Sequence, residues 1–167
     1  MKLVVDTTNN YLILGLVDGS NIVDFFKKEL KRELTEKFHT LLNDFLLKNK
    51  IELNNIKEIM VVNGPGSFTG IKIGLNFANT LKVLNKNIKL YQIDSLSFLQ
   101  KKQNDTTSID AKGGFVYTKK NKKIILVKRN NIEITSYKSI DKDNLIFNLN
   151  KFKLTKKLNA NYIKRGY

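Results

Sequence analysis

Asn63-Gly64-Pro65-Gly66-Ser67-Phe68-Thr69-Gly70 stands between an apolar run, Ile59-Met60-Val61-Val62, and a periodic segment, Ile71-Lys72-Ile73-Gly74-Leu75-Asn76-Phe77-Ala78-Asn79-Thr80-Leu81. The run before it reads as a buried strand and the segment after it as a helix. Three glycines and the chain's only proline fall within seven residues. Glycine permits positive φ and close backbone approach, and proline fixes the direction of the chain. The stretch therefore predicts a tight strand-to-helix turn, with Ser67 or Thr69 as the helix cap. Backbone N–H groups at such a helix start favour an anion. Two phosphate-loop patterns nevertheless fail. The Walker pattern needs Gly-Lys-Ser/Thr where Gly70-Ile71-Lys72 stands, and the dinucleotide pattern needs its third glycine at Thr69. A nucleophile elbow around Ser67 would need glycine at Pro65 and Thr69, which disfavours a hydrolase.

Working outward, residues 3–5, 11–17 and 21–26 read as three strands linked by the turns Thr7-Thr8-Asn9-Asn10 and Asp18-Gly19-Ser20-Asn21. Leu34, Phe38, Leu41, Leu42, Phe45 and Leu46 then recur at helical spacing, with Thr35 as a candidate cap and an end near Lys48-Asn49. The strand at 59–62 and a second helix at 70–84 follow, then a strand at 89–93 and a third helix at 96–102 capped by Ser95. The polar stretch 103–108 marks a boundary. Beyond it 115–118 and 123–127 read as a hairpin, 132–135 adds a further candidate strand, and 145–149 is a helix-like patch in a lysine-rich end. The order β-β-β-α-β-α-β-α gives an α/β class. It divides the chain into 1–104 and a shorter segment, 105–167.

The apolar residues of the second helix spread over roughly 200° of arc, whereas packing on one sheet needs only about 100°. Gly70, Gly74 and Ala78 recur every fourth residue, a spacing that lets another helix approach closely. Such helices either pack on each other and on the sheet, or leave a face for a partner.

The chain has 167 residues and 41% hydrophobic content, enough for one compact core. It has no Cys and one His, His39, so disulfides, thiolate metal sites and any zinc site needing two histidines are excluded. No apolar run reaches membrane-span length and no signal-peptide pattern opens the chain, so a soluble cytoplasmic protein is the simplest account. The net charge of +15 is an electrostatic footprint for nucleic acid, but it also follows from a Lys-, Asn- and Ile-rich composition. The lysines cluster at Lys27-Lys28, at Lys119-Lys120-Asn121-Lys122-Lys123 and between Lys151 and Lys157. They are not interleaved with an aromatic stacking platform, so phosphate attraction is expected without base readout.

Gly-Pro-Gly-Ser-Phe-Thr-Gly, residues 64–70, followed by an apolar Ile-x-Ile-Gly-Leu helix, resembles the signature of the TsaB (YeaZ-type) family. Supporting resemblances run along the chain: Val5-Asp6-Thr7-Thr8 at the first strand end, Phe38-His39-Thr40 in the first helix, Ile93-Asp94-Ser95-Leu96, Ile109-Asp110-Ala111-Lys112 with Tyr117, and Tyr162-Ile163-Lys164-Arg165. The resemblance implies a ribonuclease-H-like lobe of the actin–Hsp70 (ASKHA) type over 1–104 and a truncated second lobe over 105–167. It implies a non-catalytic subunit of the machinery that makes threonylcarbamoyladenosine on tRNA, without cofactor or metal. The partners it implies are a TsaD-type transferase, a TsaE-type ATPase and tRNA held by the assembled complex, with a homodimer possible through the same helices. The interface would comprise Phe38, His39, Leu42, Phe45, Leu46, Gly70, Ile73, Gly74, Phe77, Ala78 and Leu81.

In ATPases of this fold group an aspartate at the position of Asp6 helps hold a metal–phosphate complex, followed by a Gly-x-Thr loop. Here Asp6-Thr7-Thr8 lacks the glycine, and a turn-capping carboxylate is the better reading. Residues 64–70 and Asp6, Thr7 and Thr8 are thus taken as degenerate phosphate-type loops. The one histidine cannot supply the histidine pair of a TsaD-type metal site. The alternatives are a residual ATPase or kinase of the same fold and a stand-alone basic RNA-binding protein.

Overall fold

The computed structural model describes residues 1–103, 105–120 and 123–163. Lys122, the Lys164-Arg165 end of the tail element and Asn104 at the expected boundary lie outside these, as does the side chain of Lys120. Strands β1 (Lys2–Asp6), β2 (Tyr11–Asp18) and β3 (Asn21–Glu29) form an antiparallel meander. Helix α1 (Leu34–Lys48) leads to β4 (Glu58–Val62), α2 (Phe68–Leu84), β5 (Lys89–Ile93) and the short α3 (Ser95–Phe98). Then come β6 (Ser108–Lys112), β7 (Phe115–Lys120), β8 (Lys123–Lys128), α4 (Lys142–Asn148) and β9 (Lys153–Thr155). The larger sheet has the order β3-β2-β1-β4-β5-β9, with β1, β4 and β5 parallel, and β6-β7-β8 form a separate antiparallel sheet.

Side chains on a strand alternate between the two faces of its sheet. On β1, Leu3 and Val5 join the cluster that holds Phe38, Phe45, Ile71 and Leu75, whereas Val4 joins Leu96, Phe98, Ile140 and Leu145. Helices α1 and α2 therefore cover one face, and α3 and α4 the other. Such covering of both faces explains why the strands read as continuous apolar runs rather than as alternating ones. Gly15 on β2 makes room for α4: a Cβ there would lie 2.5 Å from Leu145 Cδ2. Asn148 on α4 donates to the carbonyls of Phe98 (2.9 Å) and Gln100 (2.9 Å), satisfying carbonyls at the end of α3.

Several sequence expectations shift. Ser67 caps α2, accepting from Gly70 N at 3.2 Å, but the helix starts at Phe68 and not at Gly70. Thr35 caps nothing; a 3-10 turn at Lys31–Glu33 runs straight into α1. Asp94, one residue before the expected Ser95, caps α3 by accepting from Ser97 N, and α3 ends at Phe98 rather than near 102. Residues 132–135 form no strand. They run alongside β6, with Thr135 N donating to Ser108 O. Within the segment after 105, β9 pairs with β5 and α4 packs on the larger sheet. Among the described residues, no helix is long and apolar enough to cross a membrane.

Candidate functional site

Three loops meet at the carboxyl ends of β1, β4 and β5, where α/β sheets commonly place their sites. The glycine stretch is stitched to the β1–β2 turn. Ser67 N donates to Thr8 O (2.7 Å), and Thr7 Oγ1 donates to Gly70 O (2.7 Å). The third loop closes the set: Ser95 N donates to Gly64 O (2.9 Å) and Ser95 Oγ to Thr8 Oγ1 (3.2 Å). Gly64 takes φ +99°, a conformation that excludes most side chains. The glycines inside the loop serve contact. A Cβ at Gly66 would lie 2.2 Å from Thr8 O, one at Gly70 1.9 Å from Thr7 O, and one at Gly74 2.6 Å from Thr7 Oγ1.

This corrects the reading of the four-residue spacing. Gly70, Gly74 and Ala78 are buried in the chain's own interior, where Gly70 and Gly74 seat α2 against the β1–β2 turn and, at Gly74, against β4. Phe38, Leu42, Phe45 and Leu46 are likewise buried in the core. Of the expected interface residues, Ile73, Phe77 and Leu81 stay half-buried and His39 is exposed, its ring edge-on to Phe38 at 5.0 Å. Much of the broad apolar arc of α2 is consumed internally. Ile71, Leu75 and Ala78 join the core under the sheet, and Phe77 meets Phe38 of α1 at 5.4 Å.

Asp6 is fully buried. Its Oδ1 accepts from Thr8 N (2.8 Å) and Thr8 Oγ1 (2.7 Å), and its Oδ2 from Asn9 Nδ2 (3.3 Å). Burial pushes its carboxyl up to about 6, and the bonds from Thr8 oppose that rise. Tyr137, whose hydroxyl stands 3.4 Å from Thr8 Oγ1, is raised far above the usual phenol value by burial and by the Asp6 charge. Both oxygens of Asp6 and the N–H of Ser67 are thus engaged by the chain itself, as a turn cap requires. Titration calorimetry of the isolated chain with Mg-ATP is expected to show no micromolar binding. Micromolar affinity with Asp6-dependent hydrolysis would return the ATPase reading.

A cleft of about 540 Å³ opens beside this network, lined among others by Thr8, Asn9, Ser67, Phe68, Tyr117 and Tyr137. Of the lysine cluster, Lys119 is not a free cation: its Nζ donates to Asp94 Oδ2 (2.8 Å) and to Ser97 Oγ, while Lys123 is exposed. Sequence reasoning missed Asp94 as the partner of Lys119. The only signal was its place just before Ser95, where a cap was already expected.

A family model described as "TsaD: tRNA N6-adenosine threonylcarbamoyltransferase" matches residues 28–163. The chain belongs to this family. Within it the chain is of the TsaB, YeaZ-type group. A relative in Buchnera aphidicola named "tRNA threonylcarbamoyladenosine biosynthesis protein TsaB" is 29% identical over 122 residues, 69% of this chain and 57% of that protein. The "Uncharacterized protein MG208 homolog" of Mycoplasma pneumoniae is 34% identical over 97 residues, 57% of this chain and 50% of that protein. The chain spans about half the length of the curated relatives it matches. The solved structure of YeaZ from Pseudomonas aeruginosa superposes with a TM-score of 0.61 at 19% identity, covering 75% of this chain and 63% of the other. That likeness shows the mixed α/β fold.

Proposed function

We propose that the chain serves tRNA threonylcarbamoyladenosine biosynthesis as a non-catalytic scaffold that binds and stabilises a TsaD-type transferase. A TsaE-type ATPase then acts on the assembled pair, and tRNA is engaged by the assembly. In this reading 1–104 is the ASKHA-type lobe, and 105–167 is a shortened second lobe tied to it through α4 and β9. The names of the relatives support the pathway. The observation that carries the scaffold role is an apolar stripe on α2. Ile73, Phe77 and Leu81 follow one another at four-residue steps and stay half-buried, and Leu84, three residues on, is 78% exposed. Val83 beside it is 76% exposed. A stripe left open along a helix fits a helix of a partner, packed ridge into groove. A second copy of the chain would use the same stripe in the transferase's absence.

Co-expression and pull-down with the TsaD-type protein of the same cell is the test. Val83→Glu with Leu84→Glu puts two charges at the exposed end of the stripe, away from the residues packed on the core. The pair should weaken transferase binding about tenfold or more. A folded double variant that still pairs at full strength would sink the scaffold reading.

A further inference from the structure

Phe68 and Tyr162 lie far apart in sequence, and no pattern in the chain links them. In the fold they stack, with ring centroids 5.3 Å apart and planes 30° from parallel. Both are exposed, Phe68 by 58% and Tyr162 by 48%. Lys72, one turn along α2 from Phe68, holds its Nζ 4.1 Å over the Phe68 ring. Tail anchoring does not account for the pair. The tail is already fixed by its backbone, with Asn161 N donating to Asn63 O at 2.8 Å. Phe68 also lines the cleft beside the glycine turn, as do Lys112 and Lys138.

We propose that Phe68 and Tyr162 form a stacking platform for a base of single-stranded RNA, with Lys72 neutralising the adjacent phosphate. Two exposed rings cost free energy in water, and a base covers them whatever its identity, because every base has a π-face. A lysine resting on a ring at the surface is held only weakly there, so its charge is free to turn to a phosphate. The net charge of +15 makes a polyanion the complementary partner. A protein segment with an apolar side chain is the rival occupant, and charge argues against it. This goes beyond the scaffold reading, since the isolated chain would itself touch RNA. It departs from the sequence expectation that no aromatic platform accompanies the lysines.

The test uses the full chain and labelled single-stranded RNA of about ten nucleotides, followed by fluorescence anisotropy across a salt series. Phe68→Ala and Tyr162→Ala should each weaken binding about tenfold with an unchanged salt slope. Lys72→Ala should instead flatten the slope of log K against log salt by about 0.7. An abasic strand of the same length should bind the native chain about as weakly as the alanine variants bind RNA. The chain has no Trp, so Phe68→Trp offers a single reporter that should keep affinity and lose emission as the base stacks. Equal binding of the abasic strand, or unchanged affinity in both alanine variants, overturns the proposal. So does a loss of transferase pull-down in variants that still bind RNA, because the platform would then belong to a protein partner. Failure of the scaffold reading leaves these RNA measurements untouched, so the two can fail separately.

Discussion

Gly70→Ala is expected to cost about 3 kcal/mol or more, a large share of the ~5–15 kcal/mol that holds a domain folded. The added Cβ would sit 1.9 Å from Thr7 O, a backbone atom with no rotamer to yield. Either α2 backs away from the β1–β2 turn or the turn itself shifts. Both movements lose the bonds from Thr7 Oγ1 to Gly70 O and from Ser67 N to Thr8 O. Gly19→Ala is the control. Gly19, unlike Gly70, has positive φ, +60°, and nothing lies within 4 Å of the site of its Cβ, so only the backbone conformation resists. That change should cost about 1 kcal/mol. Urea midpoints of the two variants decide. Equal losses would mean that the loop tolerates displacement and that close packing at Gly70 contributes little.

The second large effect is at Asp6. Its folded value of about 6 lies above the ordinary 3.8, so the folded state binds the proton more tightly than the unfolded chain does. The stability this brings is complete below pH 3.8 and is lost as pH rises through about 6. Above that, the buried charge costs on the order of 3 kcal/mol. Asp6→Asn removes the charge and keeps an Oδ1 acceptor for both bonds from Thr8. Its amide would face Asn9 Nδ2, and Asn9 is not free to flip, because its Oδ1 accepts from Tyr11 N at 2.7 Å. That mismatch returns about 1 kcal/mol. The variant should therefore be more stable than the native chain by roughly 1–2 kcal/mol at pH 8. Its stability should also be nearly flat from pH 4 to 6. Parallel stability curves for the two proteins would show that Asp6 does not titrate in that window.

Where local chemistry decides, the sequence was readable. The meander of β1–β3, the strand-to-helix turn at residues 63–70 and the hairpin of β7 and β8 follow from apolar runs broken by turn residues. The misreadings share one cause. Periodicity says that Gly70, Gly74 and Ala78 share a face, but not what lies against it; the answer, Thr7 and Val61, comes from another part of the chain. β9 is three residues long in a lysine-rich end and has no signal of its own, and only pairing with β5 makes it a strand. Asp94, Lys119 and the Phe68–Tyr162 stack are likewise products of tertiary approach. The sequence argument against an ATPase rested on a missing glycine. In the fold the donors and acceptors of those loops are engaged with one another.

The pairing of β9 with β5 also sets a timetable for synthesis. The parallel core of β1, β4 and β5 has left the ribosome well before Lys153–Thr155 are made, and until then β5 offers an unpaired edge. The face of the sheet that α4 covers stays open for nearly as long, with Val4, Ile13 and Met60 unshielded. An open strand edge beside an uncovered apolar face is the kind of surface on which nascent chains associate. Ribosome stalling just before Lys142 should therefore recruit holding chaperones to a nascent chain that already contains every residue of the glycine turn.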